Sequence, residues 1–160
     1  MELRTLRVYG FLINDSSQVL IAVERYQGIP MVKFPGGGVN WGEGHRDALI
    51  REFKEELDIS IKVKNNIYFN DFPVESVIDS RFQVQSFFYI VDSINSLDIQ
   101  THSSIEFPER DGERFVWCNI EELNEKMFTF AIEKKAATAF KNYFINIKDL
   151  NYLDGEIQDP

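Results

Sequence analysis

Three glutamates, Glu52, Glu55 and Glu56, stand close together in the run Arg51-Glu52-Phe53-Lys54-Glu55-Glu56-Leu57. If the run is helical, at about 100° per residue, Glu56 lies about 40° from Glu52 and Glu55 about 60° the other way, so the three share an arc of about 100°. Like charges at i,i+4 cost about a few tenths of a kcal/mol. A hard divalent cation with oxygen ligands would reward the crowding. Taken alone, Phe-Lys-Glu-Glu-Leu also reads as an ordinary solvated helix face.

The flanking residues say how such carboxylates would be positioned. Gly36-Gly37-Gly38 permits positive φ and close backbone approach, and reads as a turn feeding the helix. The helix is expected to begin near Gly44 or His45 and to end near Leu57. Leu49, Ile50, Phe53 and Leu57 form the apolar stripe beside the acidic arc and should face a core.

From Gly37 to Ile59 the chain matches the pattern G-x₅-E-x₇-R-E-U-x-E-E-x-G-U, where U is bulky and apolar, at Gly37, Glu43, Arg51, Glu52, Phe53, Glu55, Glu56 and Ile59. It departs at Asp58, where the pattern has glycine. The chain thus resembles the Nudix hydrolases. The resemblance implies an α/β fold, an α/β/α sandwich around a mixed sheet that carries the loop and helix of the motif. It also implies a hydrolase in which water attacks phosphorus in the diphosphate linkage of a nucleoside diphosphate joined to another group. Mg²⁺, with Mn²⁺ as a substitute, would be bound by Glu52, Glu55 and Glu56, with the Gly37 carbonyl as a fourth ligand. Arg51 would pair with Glu43 and orient helix and loop. The substrate would lie against Gly36, Gly37 and Gly38, with Arg25 and Lys33 as positional candidates for its phosphates and Arg81, Arg110 and Arg114 behind them. A late acidic residue serves as base in many relatives; Glu109, Asp111 and Glu113 all qualify here. Dimerisation is expected by resemblance alone.

Several residues admit two readings. Trp41 could stack a base, but packing beside the loop is the favoured expectation. Asp58 tolerates the left-handed conformation less well than glycine, so a changed helix end is expected rather than lost metal binding. His45 and His102 lack metal-ligand spacing, and His45 should be exposed in the first helical turn. Pro73 falls where ADP-ribose-specific relatives carry a proline, although prolines in such loops mostly mark turns. ADP-ribose, sugar nucleotides and nucleoside triphosphates all remain open as substrates. Two other readings stand beside the enzyme. One is a catalytically silent nucleotide-binding module, which would be expected to lose box glutamates that are all present here. The other is an isoprenoid diphosphate isomerase, which needs a better-placed cysteine than Cys118.

Composition fits one domain: 160 residues, 44% hydrophobic, 27% charged. A net charge of −9 opposes binding of extended nucleic acid or a membrane surface. It does not oppose a phosphorylated small molecule, because bound cations reverse the local field. The single cysteine, Cys118, rules out an internal disulfide and reads as a core thiol suited to a reducing cytoplasm. No run reaches the length of a signal or a membrane span.

Strands are expected over 6–13 and 19–26, paired as a hairpin across Asn14-Asp15-Ser16-Ser17 and broken by Gly28-Ile29-Pro30. Further strands are expected over 31–34, 60–72, 83–91 and 114–118. Residues 92–108 read as a long loop with an edge strand. Asn119 is a candidate cap for a short helix through Leu123, and 130–144 has helical apolar spacing. Residues 1–153 form the expected domain and 154–160 a frayed acidic tail.

Overall fold

The computed structural model describes residues 3–156. Seven strands and two helices run in the order β1 (Leu3–Leu12), β2 (Gln18–Tyr26), β3 (Ile29–Lys33), β4 (Gly36–Gly38), α1 (His45–Leu57), β5 (Ile61–Phe69), β6 (Phe82–Ser93), β7 (Gly112–Asn119) and α2 (Ala131–Glu156). A short 3₁₀ helix, Glu125–Met127, precedes α2. The strands form two sheets, β4-β1-β6-β5 and β3-β2-β7. The first is mixed, with β1 parallel to β6 and antiparallel to β4. The second is antiparallel throughout. Buried apolar residues form a core on each side of the sheets, and this places the sheets between the helices. One face packs on α1 through Ala48, Leu49 and Phe53. The other packs on α2 through Ile132, Ala136, Ala137 and Phe140.

The second core is built on aromatic contacts. Phe11 stacks on Phe140 at 4.4 Å, and Phe34 meets Phe11 edge-on at 4.7 Å and stacks on Phe128 at 4.7 Å. Each fully buried Phe contributes about 1.5–3 kcal/mol of transfer free energy, which ties α2 to both sheets.

Several expectations are corrected. Between β1 and β2 the chain pairs only at the Ile13–Val19 bridge and the Asn14–Gln18 turn, and the strands then separate into different sheets, because each finds longer partners elsewhere. The true hairpin is β2–β3: Gln27 and Gly28, with φ of 49° and 77°, turn the chain, and Ile29 and Pro30 belong to the returning strand. No edge strand forms within 94–108; His102 makes a lone bridge to Val116. Asn119 caps a turn, accepting the Glu121 N–H, while Asn124 caps the 3₁₀ helix. Helix α2 runs through Asp154–Glu156, so part of the expected tail is helical, and residues 157–160 lie outside the described residues.

The glycine run is a strand rather than a turn. Gly36, Gly37 and Gly38 pair with Tyr9, Val8 and Arg7 of β1. At Gly36, φ is 141°, and a Cβ would stand 2.1 Å from the Val8 carbonyl oxygen. That atom is backbone and cannot step aside. Gly36→Ala should therefore cost at least about 3 kcal/mol, strain and clash together. Gly38→Ala, whose Cβ meets nothing, should stay within about 1 kcal/mol. Urea denaturation of both variants tests the contrast.

Candidate active site

Helix α1 has the expected bounds. Gly44 precedes it in extended conformation, and Asp58 ends it at φ 53°, ψ 32°, donating its N–H to Lys54 O. Asp58 takes the left-handed conformation that glycine would take, and its carboxylate accepts from Lys54. The expected change at the helix end does not occur, because a local ion pair stabilises the same cap. Ile50 is exposed and Ala48 takes its place in the apolar stripe. His45 is half-buried, its ring 4.2 Å from that of Phe87, because the first turn of α1 lies over β6. Trp41 is fully exposed rather than packed beside the loop, since nothing covers the bend before the helix. Cys118 is buried, as a core thiol should be.

Arg51 joins helix, loop and strand. Its Nε and Nη2 donate to the two Glu43 oxygens at 2.7 and 2.9 Å. Nη2 also donates to the Gly38 carbonyl at 2.9 Å, and Nη1 to Glu52 at 2.9 Å and Glu55 at 3.2 Å. Arginine suits this task because its planar fork serves several acceptors at once. The Arg51 hydrogen bonds, with help from the Asn40 N–H, hold the Glu43 carboxyl down at about 2. Both Glu43 oxygens are thus engaged in holding the loop. Glu52 lies against Gly37, where a Cβ would meet its carboxylate at 2.5 Å. Only glycine admits the carboxylate this close to β4.

Glu56 faces another set of charges. Glu24 and Glu113 oppose each other across β2 and β7, an unfavourable like-charge pair. Buried Lys33 relieves it, its Nζ 2.7 Å from Glu24 and 3.4 Å from Glu113. Burial alone would lower the Lys33 pKa, but Tyr9, Glu113 and Glu24 outweigh it, and the net direction is upward. Glu56 keeps much of its surface, yet partial loss of solvent, then repulsion from Glu113, push its carboxyl up to about 8. Glu52 and Glu24 add to that rise and Lys33 opposes it. The Glu113 carboxyl is raised as well, chiefly by burial. A cavity of about 300 Å³ opens beside this pair, with His102, Arg114, Gln100 and Ile99 on its wall.

The late acidic candidates separate cleanly. Glu113 adjoins Glu56. Asp111 accepts the Gln27 and Gly28 N–H groups and so caps the β2–β3 turn. Glu109 is exposed. Arg25 is also committed to that turn, donating to Pro108 O at 2.7 Å and Gly28 O at 3.2 Å. Arg81 pairs with Asp79 far along the chain, and Arg110 is exposed. Two charged residues that sequence reasoning missed lie nearby, half-buried Arg7 on β1 and buried Glu133 on α2. Glu133 shares the spacing of Ala136, Ala137 and Phe140, so an acid in an apolar stripe was the available signal.

Among the described residues, no three acidic, histidine or cysteine side chains already converge at metal-ligand distance. Glu52 turns to Gly37 and Arg51, exposed Glu55 meets Arg51 from the solvent side, and Glu56 turns toward Glu113. The donor set nevertheless suits a hard cation. It is all oxygen, and Glu24, Glu52, Glu56 and Glu113 outnumber the cations Lys33 and Arg51 that serve them.

The model of the NUDIX domain matches residues 3–139. An RNA pyrophosphohydrolase of Ruthia magnifica subsp. Calyptogena magnifica is 30% identical over 111 residues, which cover 61% of this chain and 61% of that protein. Nudix hydrolase 2 of Arabidopsis thaliana is 43% identical over 53 residues, 31% of this chain and 19% of that protein. The chain thus spans 61% and 19% of the lengths of these two relatives. The solution structure of the E. coli ORF135 protein shares the fold at a TM-score of 0.65 and 23% identity, over 87% of this chain and 89% of that one. No helix among the described residues is long and apolar enough to cross a membrane. With the family model matched over most of its length, the chain belongs to the Nudix hydrolase family.

Proposed function

We propose that this protein is a divalent-metal-dependent hydrolase that cleaves the phosphoanhydride bond of a nucleoside diphosphate carrying a further group. The observation that carries the reading is the Arg51 clasp, which binds strand β4, the loop at Glu43 and the acidic face of α1 into one unit. A silent binding module has no need to hold carboxylates so firmly. Glu52, Glu55, Glu56 and the Gly37 carbonyl would hold Mg²⁺, with Mn²⁺ as a substitute. The bound ion would neutralise phosphoryl charge and lower the pKa of attacking water.

The protein residues divide the remaining work. Arg51 and Glu43 are positioning residues that fix the distance between β4 and α1. Glu56 and Glu113, both with raised carboxyl pKa values, can hold or accept a proton near the reacting centre. Lys33, its Nζ engaged by Glu24 and Glu113, holds these two carboxylates together. Arg25, committed to its turn, is set aside as a phosphate partner. The substrate is a small molecule rather than extended nucleic acid, in keeping with the net charge of −9. A cytoplasmic location and a homodimer remain part of the proposal, and gel filtration tests the latter.

Chromatographic separation of the nucleotide products formed from ADP-ribose, sugar nucleotides, nucleoside triphosphates and capped oligonucleotides, with Mg²⁺ and with chelator, tests the activity. Chelator-sensitive turnover of at least one compound is expected. Turnover that survives both chelator and Glu52→Gln would sink the metal assignment, and the absence of turnover across the panel would favour the silent module.

A further inference from the structure

We propose that Trp41 is a stacking platform for a second nucleobase, carried at the far end of the substrate's phosphate chain, so that this protein prefers dinucleoside polyphosphates. The inference rests on the hydrolase reading, since it names the group to which the diphosphate is joined. Trp41 is fully exposed, more so than any other large hydrophobic among the described residues. An indole left in water forgoes one of the largest burial gains a side chain offers.

The turn that displays the indole is rigid. As the chain leaves β4, the Val39 N–H donates to Leu6 O at 2.9 Å. The Glu43 N–H then closes on Asn40 O at 3.1 Å, with Gly42 at φ 78°. Trp41 is thus the first central residue of a tight turn whose second central position requires glycine. The Glu43 carboxylate accepts the Asn40 N–H at 3.0 Å and the Arg51 fork besides. Arg51 also holds the Gly38 carbonyl and Glu52, so the indole and the acidic face of α1 hang on one clasp. A backbone already fixed loses less freedom when a ligand settles on it.

The surroundings favour a flat ligand over a protein partner. A Cβ at Gly38 or at Gly42 would meet nothing within 4 Å, so the ground beside the indole is open. Its neighbours in the turn are Asn40, Gly42, Glu43 and Gly44. A docking surface needs a contiguous apolar patch, and one indole among glycines and polar residues does not make one. What it offers is a π-face. Nucleobases stack on such faces, for a gain of about 5–150-fold in affinity per base. The ring of a base is neutral, so neither the net charge of −9 nor the nearby carboxylates repel it. A sugar has no π-face to match, which sets the second nucleoside apart from ADP-ribose and sugar nucleotides.

The position suits a second base rather than the first. A site that seats a group encloses most of it and fixes it with placed polar atoms, whereas Trp41 gives one open face. It can therefore add affinity to a substrate already held by its phosphates. Four residues of chain lead from Gly37 to Trp41, so the two Cα atoms are at most about 14 Å apart. Glu52 lies against Gly37, and a nucleoside with two or more phosphates is long enough to cross from there to the indole.

Adenosine tetraphosphate and diadenosine tetraphosphate differ only by the second nucleoside, and their Mg²⁺-dependent turnover tests the platform. The two-base compound should have a KM lower by about tenfold. Trp41→Ala should erase that advantage while changing kcat/KM for adenosine tetraphosphate by less than about threefold. Trp41→Phe, still flat, should keep most of it, and Trp41→Leu, apolar but not flat, should behave as Trp41→Ala. Thermal melts of the three variants should match the wild type, because the indole packs against nothing. Trp117→Phe leaves Trp41 as the only indole of the chain. A methylene-bridged analogue of diadenosine tetraphosphate should then quench its fluorescence saturably. Equal KM values in the wild type, full activity of Trp41→Leu, equal losses on both compounds or an unquenched Trp41 would overturn the platform. Saturable quenching by the analogue without turnover of either compound would instead overturn the hydrolase reading and leave the platform standing.

Discussion

Glu56→Gln should reduce turnover by about 10²–10³-fold, the loss expected when one charge that stabilises a developing transition state is removed. In metal-free protein the same substitution should raise stability above neutral pH. The Glu56 carboxyl is pushed up to about 8 in the folded chain, against an ordinary value of 4.5. The folded state therefore keeps a proton that the unfolded state releases. Stability tied to this group is fully present below about 4.5 and is lost as pH rises toward about 8. Because Glu56 stays open to water, screening shrinks the effect, and the direction is what matters. Thermal melts without metal should show the wild type losing more than the variant between pH 5 and 8. With Mg²⁺ the order should reverse, since only the carboxylate binds the ion tightly. Parallel melts with and without the ion would expose a wrong assignment, for a Glu56 distant from metal would show no reversal.

Arg51→Lys should be nearly as damaging by a different route. The five hydrogen bonds of Arg51 converge from one planar group, and an ammonium ion reaches at most part of that set. Its side chain is 26% exposed and that of Glu43 17% exposed, so water replaces the lost bonds only partly. Stability should fall by about 2–3 kcal/mol, or about 4–12 °C in Tm for a domain of this size. Turnover should fall about 10²-fold because Glu52 and Gly37 are no longer held in register. The loss should appear in kcat more than in KM. Retained kcat with a raised KM would instead place Arg51 in direct contact with substrate.

The sequence by itself determined α1 and its acidic face, because helical periodicity and the motif spacing are local. It also placed most strands, the buried Cys118 and, through resemblance, the Glu43–Arg51 pair. It misjudged the pairing of β1 and β2, since a turn signal does not say how far two strands stay together once each can join a longer neighbour. It read Gly36–Gly38 as a bend, because glycine removes the side-chain signals that mark a strand. Asp58 kept the left-handed cap through Lys54, a compensation that a position-by-position pattern does not contain. Only the tertiary structure decided among the late acids. The β2–β7 register sets Glu113 against Glu24 and beside Glu56, while Asp111 turns to the hairpin. Arg7 and Glu133 lie far apart along the chain, and only Glu133, an acid in an apolar stripe, stands out in its own segment. Their meeting depends on which strands neighbour one another and on where α2 crosses them. Burial then decides their chemistry, because a polar atom needs a partner only once water has been taken away.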